Sequence, residues 1–179
     1  MPRSSQPDSH QPDTPHRYSM QEGVSVAQQA ARDIEDWLRS LPQTRSVENV
    51  EADPHYQAQD VDLIWTTSRG RYRVEIKGDR WHGTGNFFFE TMSNQERGTL
   101  GCFLYTEADL LFYYFLEPRR LYILPMPATR EWFQANLPRF RQSSTTTDLG
   151  LGRSYTTVGY LVPIQAVLDE VEEVYVRSI

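Results

Sequence analysis

Between Asp60 and Lys77 the sequence spells out a β-hairpin, and this ribbon restricts the fold more than any other stretch. Asp60, Val61, Asp62, Leu63, Ile64 and Trp65 mix acids with apolar and β-branched residues. Thr66 to Gly70 supply a turn, after which Tyr72, Val74 and Ile76 alternate with Arg71, Arg73, Glu75 and Lys77. Side chains two apart on a strand share a face, so Glu75 and Lys77 project together with Arg73 beside them. On an antiparallel neighbour Asp62 falls opposite that pair. Two carboxylates and an ammonium on one sheet face are costly to desolvate unless something uses them.

The chain has 18 basic residues, and Lys77 is the single lysine among them. Arginine does not replace lysine where a compact charge must touch a water or a metal-bound oxygen, because guanidinium is larger and keeps its proton. The plainer alternative is an ordinary ion pair between Lys77 and Asp62 across the hairpin, an interaction that is weak on a surface.

At 179 residues the chain is long enough for one domain with a sizeable core. The expected organisation is a disordered tail over 1–22, rich in Pro, Ser, Gln and Asp, followed by a single domain over 23–179. No apolar run is long enough to span a bilayer, and the N-terminus lacks a signal-peptide pattern, so a cytoplasmic location without membrane contact is expected. Cys102 is the only cysteine, which excludes an internal disulfide and a cysteine-cluster metal site. It is read as a small buried apolar residue. A net charge of −6 argues against a protein that coats nucleic acid non-specifically. A local phosphate grip is still open to it, with Arg73 and Arg80 flanking the acidic hairpin as the candidate residues.

Ahead of the hairpin, Ala27, Ala30, Ala31, Ile34, Trp37, Leu38 and Leu41 recur at helical steps. They predict an amphipathic helix over 24–41 with Ser25 and Gln28 as a capping box. Glu35 on its polar side is either solvated or leans toward the hairpin. Residues 43–58 read as a connecting loop, with His55 on the surface. Gly78 to Asn86 form a glycine-rich loop containing His82. Phe87 to Glu90 then read as a buried central strand whose terminal acid either joins the hairpin's acids or caps a sheet edge. Leu110 to Leu116 and Leu121 to Leu124 predict a second hairpin, and Trp132, Phe133 and Leu137 a helix. Gln142 to Asp148 read as a Ser/Thr loop, residues 155–162 as a strand and 163–171 as a closing helix.

A helix, a hairpin bearing Asp…Glu-x-Lys, a third strand and then further sheet and helix is the order of the PD-(D/E)XK nuclease superfamily. The chain resembles that superfamily at Asp62, Glu75, Ile76 and Lys77, over roughly residues 24–125. The run from Thr84 to Glu90 and that from Thr106 to Asp109 look like small phage and bacterial members of its resolvase-like branch. No proline precedes the Asp, which leaves Asp60 as an alternative to Asp62. The resemblance implies an α/β fold, a central mixed β-sheet flanked by helices with a restriction-endonuclease-like αβββαβ core. It also implies a metal-dependent endonuclease acting on nucleic acid, DNA in preference to RNA, in which two copies can pair to cut two strands. Hard carboxylate oxygens suit Mg²⁺ or Mn²⁺, which offsets phosphate charge and acidifies a bound water. Asp62 and Glu75 are the expected ligands with the Ile76 carbonyl a third, Lys77 serves the attacking water and the phosphate, and Glu90, Glu35 and Asp60 are accessory candidates. The contrasting reading is a module that keeps the fold and binds nucleic acid or protein without cutting.

Overall fold

The computed structural model describes residues 16–179, with side chains from Ser19 onward. The expected tail over 1–15 lies outside the described residues. His16–Ser19 and Met20 to Glu22, also read as tail, are ordered instead: the first four form strand β1 and the rest open helix α1 (Met20–Ser40). The helix starts earlier than its apolar stripe predicts because Ser19, not Ser25, caps it. The Ser19 hydroxyl accepts from the Glu22 amide and the Glu22 carboxylate accepts from the Ser19 amide, a reciprocal capping box. Ala30, Ile34 and Leu38, spaced by four, are fully buried.

The chain continues through β2 (Thr44–Asn49), α2 (Pro54–Gln57), β3 (Leu63–Thr67), β4 (Arg71–Asp79), β5 (Asn86–Asn94), β6 (Thr99–Leu100) and α3 (Cys102–Tyr105). There follow β7 (Leu110–Phe115), β8 (Arg120–Pro125), α4 (Ala128–Ala135), β9 (Arg141–Gly150), β10 (Arg153–Pro163), α5 (Ile164–Glu170) and β11 (Tyr175–Ser178). The α/β class expected from the sequence is what forms, with mixed sheets and five α-helices among the described residues. No described helix is long and apolar enough to cross a membrane.

The strands divide between two sheets where one central sheet was expected. One is ordered β11-β8-β7-β4-β3-β2, and the other β1-β9-β10-β5-β6. In the first, β2, β3 and β4 form an antiparallel meander, β7 lies parallel to β4, and β8 turns back against β7. Three sequence readings are corrected here. The 43–58 segment contains β2, and the Ser/Thr stretch 142–148 lies within β9, whose hydroxyl-bearing residues are well suited to the sheet they form with β1 and β10. The Phe87–Glu90 strand is not a neighbour of the hairpin. It pairs with β10 and β6 in the second sheet, and β7 takes the place beside β4.

Strand alternation sends the two faces of the first sheet to different cores. Leu63, Val74, Phe112, Tyr114, Leu121 and Ile123 pack under α1. At Gly78 an added Cβ would lie 2.9 Å from the Ala30 Cβ and 3.1 Å from the Val26 carbonyl, so α1 rests on β4 at a distance only glycine permits. Leu111, Tyr113, Phe115, Tyr122 and Leu124 point the opposite way and meet Phe87, Phe89 and Val162 of the second sheet, with Phe133 of α4 and Val167 of α5 completing the core. The Tyr113 hydroxyl bridges the sheets, donating to Asp79 Oδ2 at 2.5 Å and accepting from the Phe88 amide at 3.0 Å. This bridge fixes β5 over β4. It also sets where Glu90, two residues along, can reach.

Candidate metal and active site

Glu75 and Lys77 alternate with Val74 and Ile76 on β4, so they leave the α1 face and enter the space between the sheets, beside Leu111 and Tyr113 of β7. Asp62 sits one residue before β3, where the ladder pairs Leu63 with Val74 and the Asp62 amide donates to the Val74 carbonyl at 2.9 Å. That register puts the Asp62 carboxyl against Glu75, where its charge opposes ionisation of Glu75. The second Asp62 contact is the Ile76 amide, which donates to Oδ2 at 2.8 Å.

Beyond Asp62 the hairpin ladder stops, for a visible reason. Asp60 adopts a left-handed backbone, φ +55°, and its amide bonds the Gln57 carbonyl instead of continuing the strand pairing. The Val74 carbonyl points toward β3, and in a strand residues two apart point their carbonyls the same way. The Ile76 carbonyl is therefore directed past the end of β3, where the Asp60 amide would have met it.

Asp60 is tied down by the segment after α3. The Thr106 hydroxyl donates to its carbonyl at 2.8 Å, and the Tyr105 hydroxyl donates to Oδ1 at 3.3 Å. Its other oxygen, Oδ2, is sealed from solvent and has no hydrogen-bond partner. Ligand oxygens of Asp60 and Glu75 and the Cys102 sulfur all lie within 4.8 Å of one another. The ammonium of Lys77 approaches Glu90 Oε2 at 3.3 Å. The Glu75 residue is only 7% exposed, whereas the Lys77 side chain keeps 31% and Glu90 13%.

Crowding shows in the acidities. Burial, then the Asp62 charge, pushes the Asp60 carboxyl up to about 6. Burial and the neighbouring Asp62 and Asp60 charges hold Glu75 well above the usual carboxylate range, and burial outweighs the Ile76 amide in raising Asp62. For Lys77, burial favours the neutral amine, but the Glu90 carboxylate together with the charges at Cys102 and Asp79 more than offsets it and the ammonium is held. Burial pushes the Cys102 thiol up, with Lys77 acting against it.

The sequence-predicted residues are thus partly gathered. Asp62, Glu75, Lys77, Glu90, the Ile76 backbone and Asp60 converge, and Asp60 belongs at the centre of the group. Glu35 does not lean toward the hairpin: it pairs with Arg39 at 2.7 Å and accepts from Asn49 at 2.9 Å, on the helix that covers the opposite sheet face. Arg73 is committed to Asp109, through its guanidinium at 2.9 Å and its amide at 2.8 Å, with Glu107 at 3.6 Å. That pairing neutralises it as a phosphate grip. Arg80 is exposed and adds to the field that lowers Glu22 at the start of α1, behind the Ser19 hydrogen bonds. His82 packs edge-on to Phe115 and lies 3.3 Å from the Tyr122 hydroxyl, away from the acids. Sequence reasoning missed Cys102 and Tyr105 as members of the group. Nothing local in Cys102 to Tyr105 signals an approach to Asp60, which only the chain's return from β5 to β7 creates.

No family model, curated protein or solved structure matches this chain.

Proposed function

We propose that this protein is a metal-dependent phosphodiester hydrolase, an endonuclease acting on DNA in preference to RNA. The observation behind the proposal is the convergence of Asp60, Asp62 and Glu75 beside the lone ammonium Lys77, with one carboxylate oxygen buried and unpartnered. Buried carboxyls that repel one another, and whose one neighbouring ammonium, Lys77, is paired with Glu90, fit a small divalent ion. Mg²⁺ or Mn²⁺ is suited to Asp60, Asp62 and Glu75, with the Ile76 carbonyl directed to the same side. Such an ion would supply neutralisation of phosphate charge and a more acidic water.

The chain's own groups then divide the work. Glu90 holds the Lys77 ammonium in place and charged. From there Lys77 donates to a phosphate oxygen and steadies the charge that builds as the attacking oxygen adds. The Ile76 amide fixes one oxygen of Asp62, and Tyr105 fixes one oxygen of Asp60, which leaves the second oxygen of each carboxyl turned toward the shared space. Fold order supports the reading. A helix precedes a three-stranded meander, and a crossover then leads to a strand parallel to β4. That order fits a restriction-endonuclease-like αβββαβ core, with β5, β6 and α3 carried in the crossover.

Incubation with duplex, branched and single-stranded DNA and with RNA, in Mg²⁺ or Mn²⁺ and in EDTA, tests the proposal. Cleavage should need the metal and vanish in Glu75→Ala and Lys77→Ala with folding intact. Absence of metal-dependent turnover on every substrate would overturn it and leave a module that binds without cutting.

A further inference from the structure

Cys102 opens α3 under Gly101, whose amide donates to the Thr91 carbonyl at 2.9 Å. An added Cβ on Gly101 would sit 2.5 Å from the Glu90 carbonyl oxygen, so the thiol is carried against β5 and the site by a contact only glycine permits. Two observations besides the clustering of acids indicate a ligand here. Asp60 Oδ2 is sealed and unpartnered. Glu75 is more than nine-tenths buried, and its carboxyl receives no hydrogen bond from a side chain or amide among the described residues.

We propose that Asp60, Glu75 and Cys102 form one mixed carboxylate–thiolate cation site, and that Cys102 sets the metal preference toward Zn²⁺ over Mg²⁺. This deepens the hydrolase reading and rests on it. Around one ion in tetrahedral geometry, bonds of about 2.1 Å to oxygen and 2.3 Å to sulfur place the two ligand atoms roughly 3.6 Å apart. The three ligand atoms already lie within 4.8 Å of one another, so closing on an ion needs side-chain shifts on the order of 1 Å. Thiolate is a soft ligand that favours zinc-like ions, whereas Mg²⁺ demands oxygen in near-ideal octahedral geometry. On binding, the thiol releases its proton to solvent and its sulfur lone pair forms the metal bond.

The test uses the full chain, stripped with EDTA, in wild-type, Cys102→Ser, Cys102→Ala and Asp60→Asn forms, each checked for folding by circular dichroism. Cd²⁺ reports a metal–sulfur bond through its ultraviolet charge-transfer band, and Zn²⁺, Mn²⁺ and Mg²⁺ affinities come from calorimetry. The expected result is a band saturating at one Cd²⁺ per chain, absent from both Cys102 variants. Zn²⁺ binding should weaken in Cys102→Ser by at least the roughly 10–100-fold that loss of an outer partner already costs, with Mg²⁺ affinity within about twofold. If the Cys102 variants fail to fold, the band in wild type and its loss in folded Asp60→Asn decide the same point. Metal binding by wild type with no sulfur band, or with Zn²⁺ affinity unchanged in a folded Cys102 variant, would overturn the inference and leave the hydrolase reading standing. No divalent ion bound at all would remove both.

Discussion

Replacing Asp60 by Asn removes one charge from the group and leaves its shape almost intact. In the metal-free protein this should stabilise the fold, against the usual direction for a buried substitution. The carboxyl is raised from an ordinary 3.8 to about 6, with burial and then Asp62 as the leading causes. At about 1.4 kcal/mol per pH unit, keeping it ionised in the fold costs about 3 kcal/mol. The sign follows from linkage. A carboxyl raised in the folded state holds its proton more tightly there, so stability is intact below about pH 4, falls as pH rises toward 6 and stays low above that. Asp60→Asn escapes the fall. The variant amide also suits the left-handed backbone at this position, which adds an advantage that does not vary with pH. The informative quantity is therefore the change in the difference between the two proteins, from near zero change at pH 4 to about 3 kcal/mol at pH 7. Urea unfolding in EDTA at the two pH values reads it, and for a domain of this size it corresponds to roughly 6–12 °C in melting temperature. Saturating Mg²⁺ should narrow the gap, since an ion bound at a hundred times its dissociation constant returns about 2.7 kcal/mol to the wild type. A stability difference that is the same at pH 4 and pH 7 would refute the crowded-carboxylate account of Asp60.

Lys77→Met should reduce metal-dependent cleavage by roughly 10²–10³-fold, the loss seen when one transition-state donor is removed, and single-turnover kinetics should place the effect in the chemical step. Arg73→Gln should cost about 1 kcal/mol or less, because the Asp109 pair is partly exposed, and should leave the salt dependence of DNA binding unchanged in a fluorescence anisotropy titration. Gly78→Ala should destabilise by about 1–3 kcal/mol in urea unfolding, because its Cβ meets Ala30 and the Val26 carbonyl and pushes α1 off β4.

The parts of this fold that sequence made legible are those with short-range signals. Alternation in Arg71 to Lys77 and four-residue steps from Ala30 to Leu38 report which face is buried whatever lies across it, so β4 and α1 were foreseeable, as was the approach of Asp62 to Glu75 across one turn. Partner choice is a different matter. Phe87 to Phe89 are apolar enough to sit in either sheet, and nothing in them shows that β10, some seventy residues later, will claim them. The same is true of Thr145 to Thr147, whose hydroxyls read as loop but whose β-branching suits a strand once β1 and β10 flank them. Arg73 looked like a phosphate ligand because its partner Asp109 is thirty-six residues away.

What assembles the site is the demand that parallel pairing places on the chain. A hairpin turn cannot join β4 to β7, which run the same way, so residues 80–109 must leave one end of the sheet and return to the other. On the way out they lay down β5 and bring Glu90 against Lys77. On the way back α3 brings Cys102 and Tyr105 against Asp60 and Glu75. The hairpin alone would expose its acids to water, where their repulsion is screened and cheap. The crossover covers them, raises Asp60 and Glu75, and leaves one carboxylate oxygen without a donor. A crossover that merely closed the sheet could have covered Glu75 with another phenylalanine, as Phe87 of β5 does at Tyr113 and Phe115 on the neighbouring strand β7. Instead it supplies a carboxylate that keeps Lys77 charged, a phenol that orients one oxygen of Asp60, and a thiol. On the proposed reading each of these groups acts on how the hairpin's acids would hold a cation, and an ion would offset an electrostatic cost that packing alone does not.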